Sequence, residues 1–313
     1  MTAQTHIPDH INHAGVWPAL LTPLSADLSI NIDSFAAHAK ALLAAGCTGV
    51  TPFGTTGEGP SFTVTERLAA VDGLIARGVP ANRILVSTSC AALPDVIALT
   101  RHATGIGAHG CLMLPPFFLK NVPEQGVIDA YRLVIDQVPN VRMVLYHLPQ
   151  IAYVHLTQQV IDTLVVQYPN TFIGIKDSSG NTDGSLSFAK HSNGMQVWVG
   201  NEPDLRTMAA VGSAGAVSGV ANVMPKLLQR MTSKFDKTGY DKQDAATDLV
   251  RVKAFIDILN SFNMTAAFKG IMAIKNNDAG WRRVRPPLVS LSEPELERLE
   301  GMMKIFALDP AHD

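Results

Sequence analysis

The chain has 313 residues, of which 47% are hydrophobic and 17% charged, with a formal net charge of -2, so neither a polyanion nor a membrane surface is an expected partner. No apolar stretch reaches the roughly 18 residues needed to span a bilayer, and residues 1–13 are polar with no signal-peptide core, so the cytoplasm is the expected location. Cys47, Cys90 and Cys111 lie far apart in apolar or small-residue surroundings and read as core thiols, not as a disulfide framework or a metal knuckle.

Residues 1–13 read as a flexible arm whose His6, His10 and His13 lack any His-Glu-x-x-His spacing or close acid cluster, so no metal is expected. From residue 14 onward short apolar runs alternate with helix-length amphipathic segments, the order that parallel strands joined by crossover helices produce. Strands are predicted at 16–21, 49–53, 83–87, 110–114, 142–147, 172–176, 196–200 and 215–218. Helices are predicted between them at 32–45, 65–77, 94–104, 123–137, 157–167, 182–191 and 203–211. Asn31 or Asp33 caps the first, Thr63 with Glu66 forms a capping box, and Pro94, Pro123 and Pro203 suit first turns.

Eight such strands predict a (β/α)8 TIM barrel over residues 14–222, with the active site on the loops that follow the strands. Further helical patterns at 224–237, 241–260, 265–276 and 293–306 exceed the one helix that still completes a barrel. Residues 223–313 are therefore expected to form a C-terminal helical extension packed on the barrel, interrupted at Asn263, Gly270, Asn277-Asp278 and Pro286-Pro287.

Lys176 ends the apolar run Thr171-Phe172-Ile173-Gly174-Ile175 and precedes Asp177-Ser178-Ser179-Gly180. Burying an ammonium is costly, and the neutral amine that desolvation favours is a nucleophile toward ketones, which points to a Schiff-base lysine. The competing reading is a lysine that ends a strand and snorkels into solvent. After the second strand comes Gly54-Thr55-Thr56-Gly57-Glu58-Gly59, a turn whose amides and hydroxyls suit a carboxylate. The fifth strand ends Val144-Leu145-Tyr146-His147-Leu148-Pro149, which brings a phenol able to move protons to the same barrel mouth.

Together, Gly54-Thr55-Thr56-Gly57-Glu58, Tyr146-x-x-Pro149, Gly174-Ile175-Lys176-Asp177 and Gly215-Ala216-Val217-Ser218 resemble the dihydrodipicolinate synthase and N-acetylneuraminate lyase family of class I aldolases. The resemblance runs from residue 14 to about 308 and includes Arg285-Pro286-Pro287. It implies that Lys176 forms an imine with pyruvate or another 2-oxo acid, with no cofactor beyond that covalent link. It further implies that Thr55 and Thr56 hold the substrate carboxylate, with Thr55 able to join the relay, and that Tyr146 transfers protons. Val217 would face the substrate with its carbonyl, and the Gly200-Asn201-Glu202 stretch would line the outer pocket. His147, where the family often has asparagine, either contacts substrate or packs. The family's usual dimers and tetramers imply a homo-oligomer.

Two departures bear on the substrate. Phe118 stands where synthases of the family carry a second relay tyrosine, and Ile151 stands where they place an arginine for the aldehyde's carboxylate. Phenylalanine relays no proton and isoleucine pairs with no carboxylate. The expected activity is thus that of a lyase on a 2-oxo acid, either an aldolase or a 3-deoxy-2-oxo sugar acid dehydratase. The alternatives are 4-hydroxy-tetrahydrodipicolinate synthase, condensing pyruvate with aspartate semialdehyde, and a non-catalytic barrel that binds a 2-oxo acid.

Overall fold

The structure, a computed structural model, describes residues 14–192, 194–232, 242–305 and 308. The arm 1–13 and the far end of the helix expected at 224–237 lie outside the described residues. Eight parallel strands form the sheet: β1 (Gly15–Leu20), β2 (Thr51–Pro52), β3 (Leu85–Ser87), β4 (Gly110–Met113), β5 (Met143–His147), β6 (Phe172–Asp177), β7 (Gln196–Val199) and β8 (Gly215–Ser218). Their order is β2-β1-β8-β7-β6-β5-β4-β3. A parallel bridge between Val50 and Ile84 joins the two ends of that order into a barrel. Both of its hydrogen bonds, Val50 N to Arg83 O and Leu85 N to Val50 O, measure 2.9 Å.

Two tryptophans fill the barrel interior. Trp17 and Trp198 pack there with Leu85, Leu112, Val144 and Val217, all buried. Each needs a glycine beside it. A Cβ at Gly49 would lie 2.0 Å from Trp17 Cζ3, and one at Gly174 would lie 2.2 Å from Trp198 Cζ3. The near-continuous apolar character of the strands follows, because their outward side chains are covered as well, by helices.

The helices between strands are α1 (Ile32–Ala44), α2 (Val64–Ala76), α3 (Leu93–Gly105), α4 (Glu124–Gln137), α5 (Pro149–Ala152), α6 (Gln158–Gln167), α7 (Thr182–Lys190) and α8 (Leu205–Ala210). Asn31, not Asp33, caps α1, accepting from Ser34 N, and the Thr63–Glu66 capping box is formed. Sequence periodicity does not disclose α5, a single turn opened by Pro149 and closed at Tyr153 in the left-handed region. The helix predicted at 203–211 is divided, its first residues forming a 3-10 turn at Glu202–Asp204. Of the three cysteines, Cys47 and Cys111 are buried, whereas Cys90 is only half-buried and accepts from Arg67 Nη1 at 3.1 Å, so it is not a core thiol.

Among the described residues, four helices follow the barrel: α9 (Pro225–Thr232), α10 (Lys242–Asn260), α11 (Met264–Asn276) and α12 (Glu293–Ile305). Arg230 on α9 forks onto Asp248 of α10 with both contacts at 2.9 Å. Leu259, Phe268 and Leu299 join the same buried cluster as the outward faces of the barrel strands. The α10–α11 pair brings Ile256, Leu259, Met264 and Phe268 to the cavity at the C-terminal barrel mouth. Among the described residues, no helix is long and apolar enough to cross a membrane.

Candidate active site

Strand alternation decides which side chains reach the cavity. Tyr146 on β5 sits directly opposite Lys176 on β6, and His147 opposite Asp177. The first pair points into the barrel and the second toward the helices, as the two-residue period of a strand requires. Lys176 is 5% exposed and Tyr146 3%. The Lys176 Nζ lies over the Tyr146 ring, 4.1 Å from its centroid.

Space for the lysine chain depends on Gly200. A Cβ there would meet Ser178 Oγ at 2.0 Å and Lys176 Cε at 3.1 Å. Gly200 N also donates to Asp177 O at 2.7 Å, which fixes the end of β7 against β6. Gly200 thus leaves room for the lysine chain and itself lines the cavity.

Tyr146 bonds with Thr55, Lys176 and Ser178. Burial alone would raise the phenol's pKa, but the Lys176 charge and these three hydrogen bonds outweigh it and hold the group below the usual tyrosine range. The turn that carries Thr55 and Thr56 is tightly wound. Phe53 and Glu58 both take positive φ, 61° and 57°. Gly57 and Gly59 leave no room for a side chain, since their Cβ atoms would stand 2.5 Å from Leu20 O and 2.0 Å from Phe53 O.

Thr55, Thr56, Tyr146, Lys176, Gly200 and Val217 all line one cavity of about 380 Å³. The same cavity is bounded by Gln150, Ser178, Asn201 and Glu202, and by an apolar wall of Leu148, Ile151, Ile256, Leu259, Met264 and Phe268. Gln150 Nε2 donates to Ser178 O at 2.6 Å. Glu202 is buried, which raises its carboxyl above the usual range, and it accepts from Ser218 Oγ at 2.5 Å. A hollow of about 330 Å³ bordered by Ile32 and Glu66 gathers no comparable set of groups.

His147 is the predicted site residue that the structure does not bring to the cavity. Its Nδ1 bonds Asp177 Oδ1 at 3.1 Å, and its ring meets Phe188 edge-on with centroids 5.4 Å apart. The ring thus packs behind the strand, and His147 does not line the cavity. Asp177 also accepts from Ser185 Oγ at 2.6 Å and Ser179 N at 2.9 Å. Burial opposes its charge, but the bonds from His147, Ser185 and Ser179 prevail and hold the carboxyl below the usual range. This buried pair holds β5 to β6 directly behind Tyr146 and Lys176.

Sequence reasoning missed Gln150, Ser178 and the helix residues Ile256, Leu259, Asn260, Met264 and Phe268. Ser178 stands two residues beyond Lys176, just past the end of β6, where the strand's alternation carried one residue further turns it to the same side. The helix residues carry no such signal, because an amphipathic pattern marks an apolar face without naming what it covers.

A closed parallel barrel whose C-terminal mouth encloses a buried lysine, with a tyrosine ring against its Nζ, is a (β/α)8 barrel with its candidate active site at the end of the barrel where such sites lie. The chain belongs to the dihydrodipicolinate synthetase family, whose model matches residues 12–306. It is 32% identical over 289 residues to an uncharacterized DapA-like lyase of Chloroflexus aurantiacus, covering 92% of this chain and 95% of that one. It is 28% identical over 286 residues to the 4-hydroxy-tetrahydrodipicolinate synthase of Agrobacterium fabrum, covering 90% and 94%. The crystal structure of dihydrodipicolinate synthase from Agrobacterium tumefaciens matches with a TM-score of 0.86 at 30% identity, over 93% of this chain and 99% of that one.

Proposed function

We propose that this chain is a class I lyase in which Lys176 forms an imine with the 2-carbonyl of pyruvate or another 2-oxo acid. Its reaction is cleavage of a 4-hydroxy-2-oxo acid or dehydration of a 3-deoxy-2-oxo sugar acid. The observation that carries the reading is the 4.1 Å approach of Lys176 Nζ to the Tyr146 ring centroid, within the cavity that the Thr55-Thr56 turn borders.

The Lys176 amine adds to the carbonyl carbon, and the carbinolamine loses water to leave a protonated imine. In cleavage, the 4-hydroxyl gives up its proton, the C3–C4 bond breaks, an aldehyde departs and the electron pair remains as an enamine. C3 then takes up a proton, and water hydrolyses the imine to release pyruvate. Tyr146, with its phenol held below the usual tyrosine range, suits the acceptance and return of these protons. Thr55, bonded to that phenol, suits both the relay and, with Thr56, the substrate carboxylate. Val217 and Gly200 border the bound pyruvyl group. The lysine itself supplies the covalent link, so no cofactor is required.

Two observations favour a second reading, 4-hydroxy-tetrahydrodipicolinate synthase: the 28% identity to one such enzyme and the structural match at 30% identity. Against it stands Ile151, an aliphatic side chain on the cavity wall. A barrel that merely binds 2-oxo acids would need neither the amine nor the phenol beside it. The chain is also proposed to self-associate. Phe118, Leu119, Ile151 and Tyr153 are 86%, 65%, 54% and 62% exposed, Lys120 lies over the Tyr153 ring and so brings its segment to that of Tyr153, and Ile151 lines the cavity.

The discriminating experiment measures pyruvate release from 4-hydroxy-2-oxo acids, dehydration of deoxy-oxo sugar acids and condensation with aspartate semialdehyde, each with the parent chain and Lys176→Ala. Lysine-dependent cleavage or dehydration supports the proposal. Turnover that survives Lys176→Ala refutes it.

A further inference from the structure

Glu58 belongs to the turn that carries Thr55 and Thr56, yet its carboxylate points away from the cavity into the protein. Its side chain and that of Lys269 are both 0% exposed, and the two are in ion-pair contact. Lys269 Nζ also donates to Arg283 O at 2.7 Å, while Glu58 Oε2 accepts from Arg285 N at 3.1 Å. One buried pair therefore joins the turn after β2, helix α11 and the segment 283–285. The Arg285 guanidinium extends the connection to Leu28 O at 2.9 Å, Ser61 O at 2.8 Å and the Glu66 carboxylate.

Helix α11 reaches the same turn from the cavity side as well. Phe268, next to Lys269, lines the cavity. Phe268 and Thr56 both crowd Gly219, where a Cβ would lie 2.9 Å from Thr56 Oγ1 and 3.0 Å from Phe268 Cε2. The left-handed backbone of Glu58 and the two filled glycine positions leave the turn few other ways to sit.

Stability is a weak reason for this pair, because desolvating two charges costs several kcal/mol per ion and an apolar pair of similar volume often holds a fold equally well. What charge adds is direction. The ammonium fixes one carboxylate oxygen, the Arg285 amide fixes the other, and the backbone two residues after Thr56 is thereby held. We infer that Glu58 and Lys269 are positioning residues that set where Thr55 and Thr56 meet the carboxylate of the 2-oxo acid. The inference rests on the assignment of that carboxylate to Thr55 and Thr56 in the proposed function.

The test uses the full chain with Glu58→Leu and Lys269→Met combined, so that no uncompensated charge is left behind. Thermal melting is measured beside borohydride trapping of the Lys176 imine across a range of pyruvate concentrations. The paired variant should melt close to the parent, with half-saturating pyruvate raised about tenfold or more, as expected when binding groups are displaced by a fraction of an ångström. Its trapping rate at saturation should fall by a smaller factor than half-saturation rises, because Thr56 serves binding alone while Thr55 also bonds the Tyr146 phenol. A folded paired variant with the parent's half-saturation overturns the inference.

If the paired variant does not fold, Lys269→Arg keeps the charge while changing its geometry and should raise half-saturation likewise; the parent's value there overturns the inference equally. Thr55→Val and Thr56→Val, measured alongside, separate the two levels of the argument. If both threonine variants bind pyruvate as the parent does, the carboxylate assignment fails and the inference falls with it. If they bind weakly and the paired variant does not, only the role of the pair is refuted.

Discussion

Replacing Gly200 by alanine adds one carbon at the point where the lysine chain passes β7, and the geometry gives the consequence. The new Cβ would stand 2.0 Å from Ser178 Oγ and 3.1 Å from both Lys176 Cε and Ser178 Cβ. Ordinary carbon contacts begin near 3.5–4.0 Å, so the lysine methylene must move by about 0.5 Å and the serine hydroxyl must turn away. Overpacking of this kind costs about 1–3 kcal/mol of stability. The displacement falls on the nucleophile, and misplacement approaching 1 Å can cost about a hundredfold in rate. Turning Ser178 also removes one of the hydrogen bonds to Tyr146. The assay is single-turnover imine formation with pyruvate, stopped by borohydride, beside a thermal melt. Gly200→Ala should form the imine about ten- to a hundredfold more slowly while remaining folded. Adding Ser178→Ala removes the nearest clashing atom and should restore part of the rate beyond what Ser178→Ala alone retains. A Gly200→Ala protein that forms the imine at the parent rate would show that the lysine does not depend on this gap.

Tyr146→Phe should lower kcat by about a hundredfold or more with little change in KM, the scale of lost acid–base catalysis; a raised KM with kcat intact would contradict its proton role. Condensation of pyruvate with aspartate semialdehyde should be slow, because Ile151 offers that substrate's carboxylate no charge-assisted contact worth about 1.5–3 kcal/mol. Synthase turnover near 10 s⁻¹ or above, ordinary for an enzyme, would favour the alternative reading. Stability should decline in two steps on acidification. Burial lowers His38 from 6.5 to about 4, so the unfolded chain takes up a proton that the native one refuses, and stability falls between those values. Glu66, lowered from 4.5 to about 2 first of all by its Arg285 hydrogen bond, contributes stability above pH 4.5 that is lost as pH falls toward 2. The second step should be the smaller because the Glu66 side chain is 33% exposed, so solvent screens its pair with Arg285. Melting temperature against pH for His38→Gln and Glu66→Gln should lose the upper and lower steps respectively, and an unchanged profile in either variant would reject that assignment.

The strands were legible in the sequence because a parallel barrel buries both of their faces, which leaves short continuous apolar runs between amphipathic helices. Lys176 was conspicuous as a cation at the end of such a run. Tyr146 and the Thr55-Thr56 turn stood at the corresponding ends of β5 and β2, and the structure brings all of them to one cavity. The residue type at 147 was visible, but its surroundings were not. Whether His147 faced substrate depended on the inward phase of β5, and phase is ambiguous in a strand that is apolar on both sides. Ion pairs that join distant segments were equally hidden. Glu58 and Lys269 are both hydrophilic residues that a linear reading assigns to solvent, and their burial follows only from α11 lying behind the turn. The apolar wall from Ile256 to Phe268 is concealed for the same reason, since it arises from where α10 and α11 pack and not from any local pattern.

The imine assignment is tested most directly by mass analysis of the intact chain after borohydride reduction in the presence of pyruvate, followed by peptide mapping. A single reduced pyruvyl adduct is expected on Lys176, absent in Lys176→Ala while that variant still melts cooperatively. An adduct mapped to another lysine, or no adduct at saturating pyruvate, would contradict the assignment.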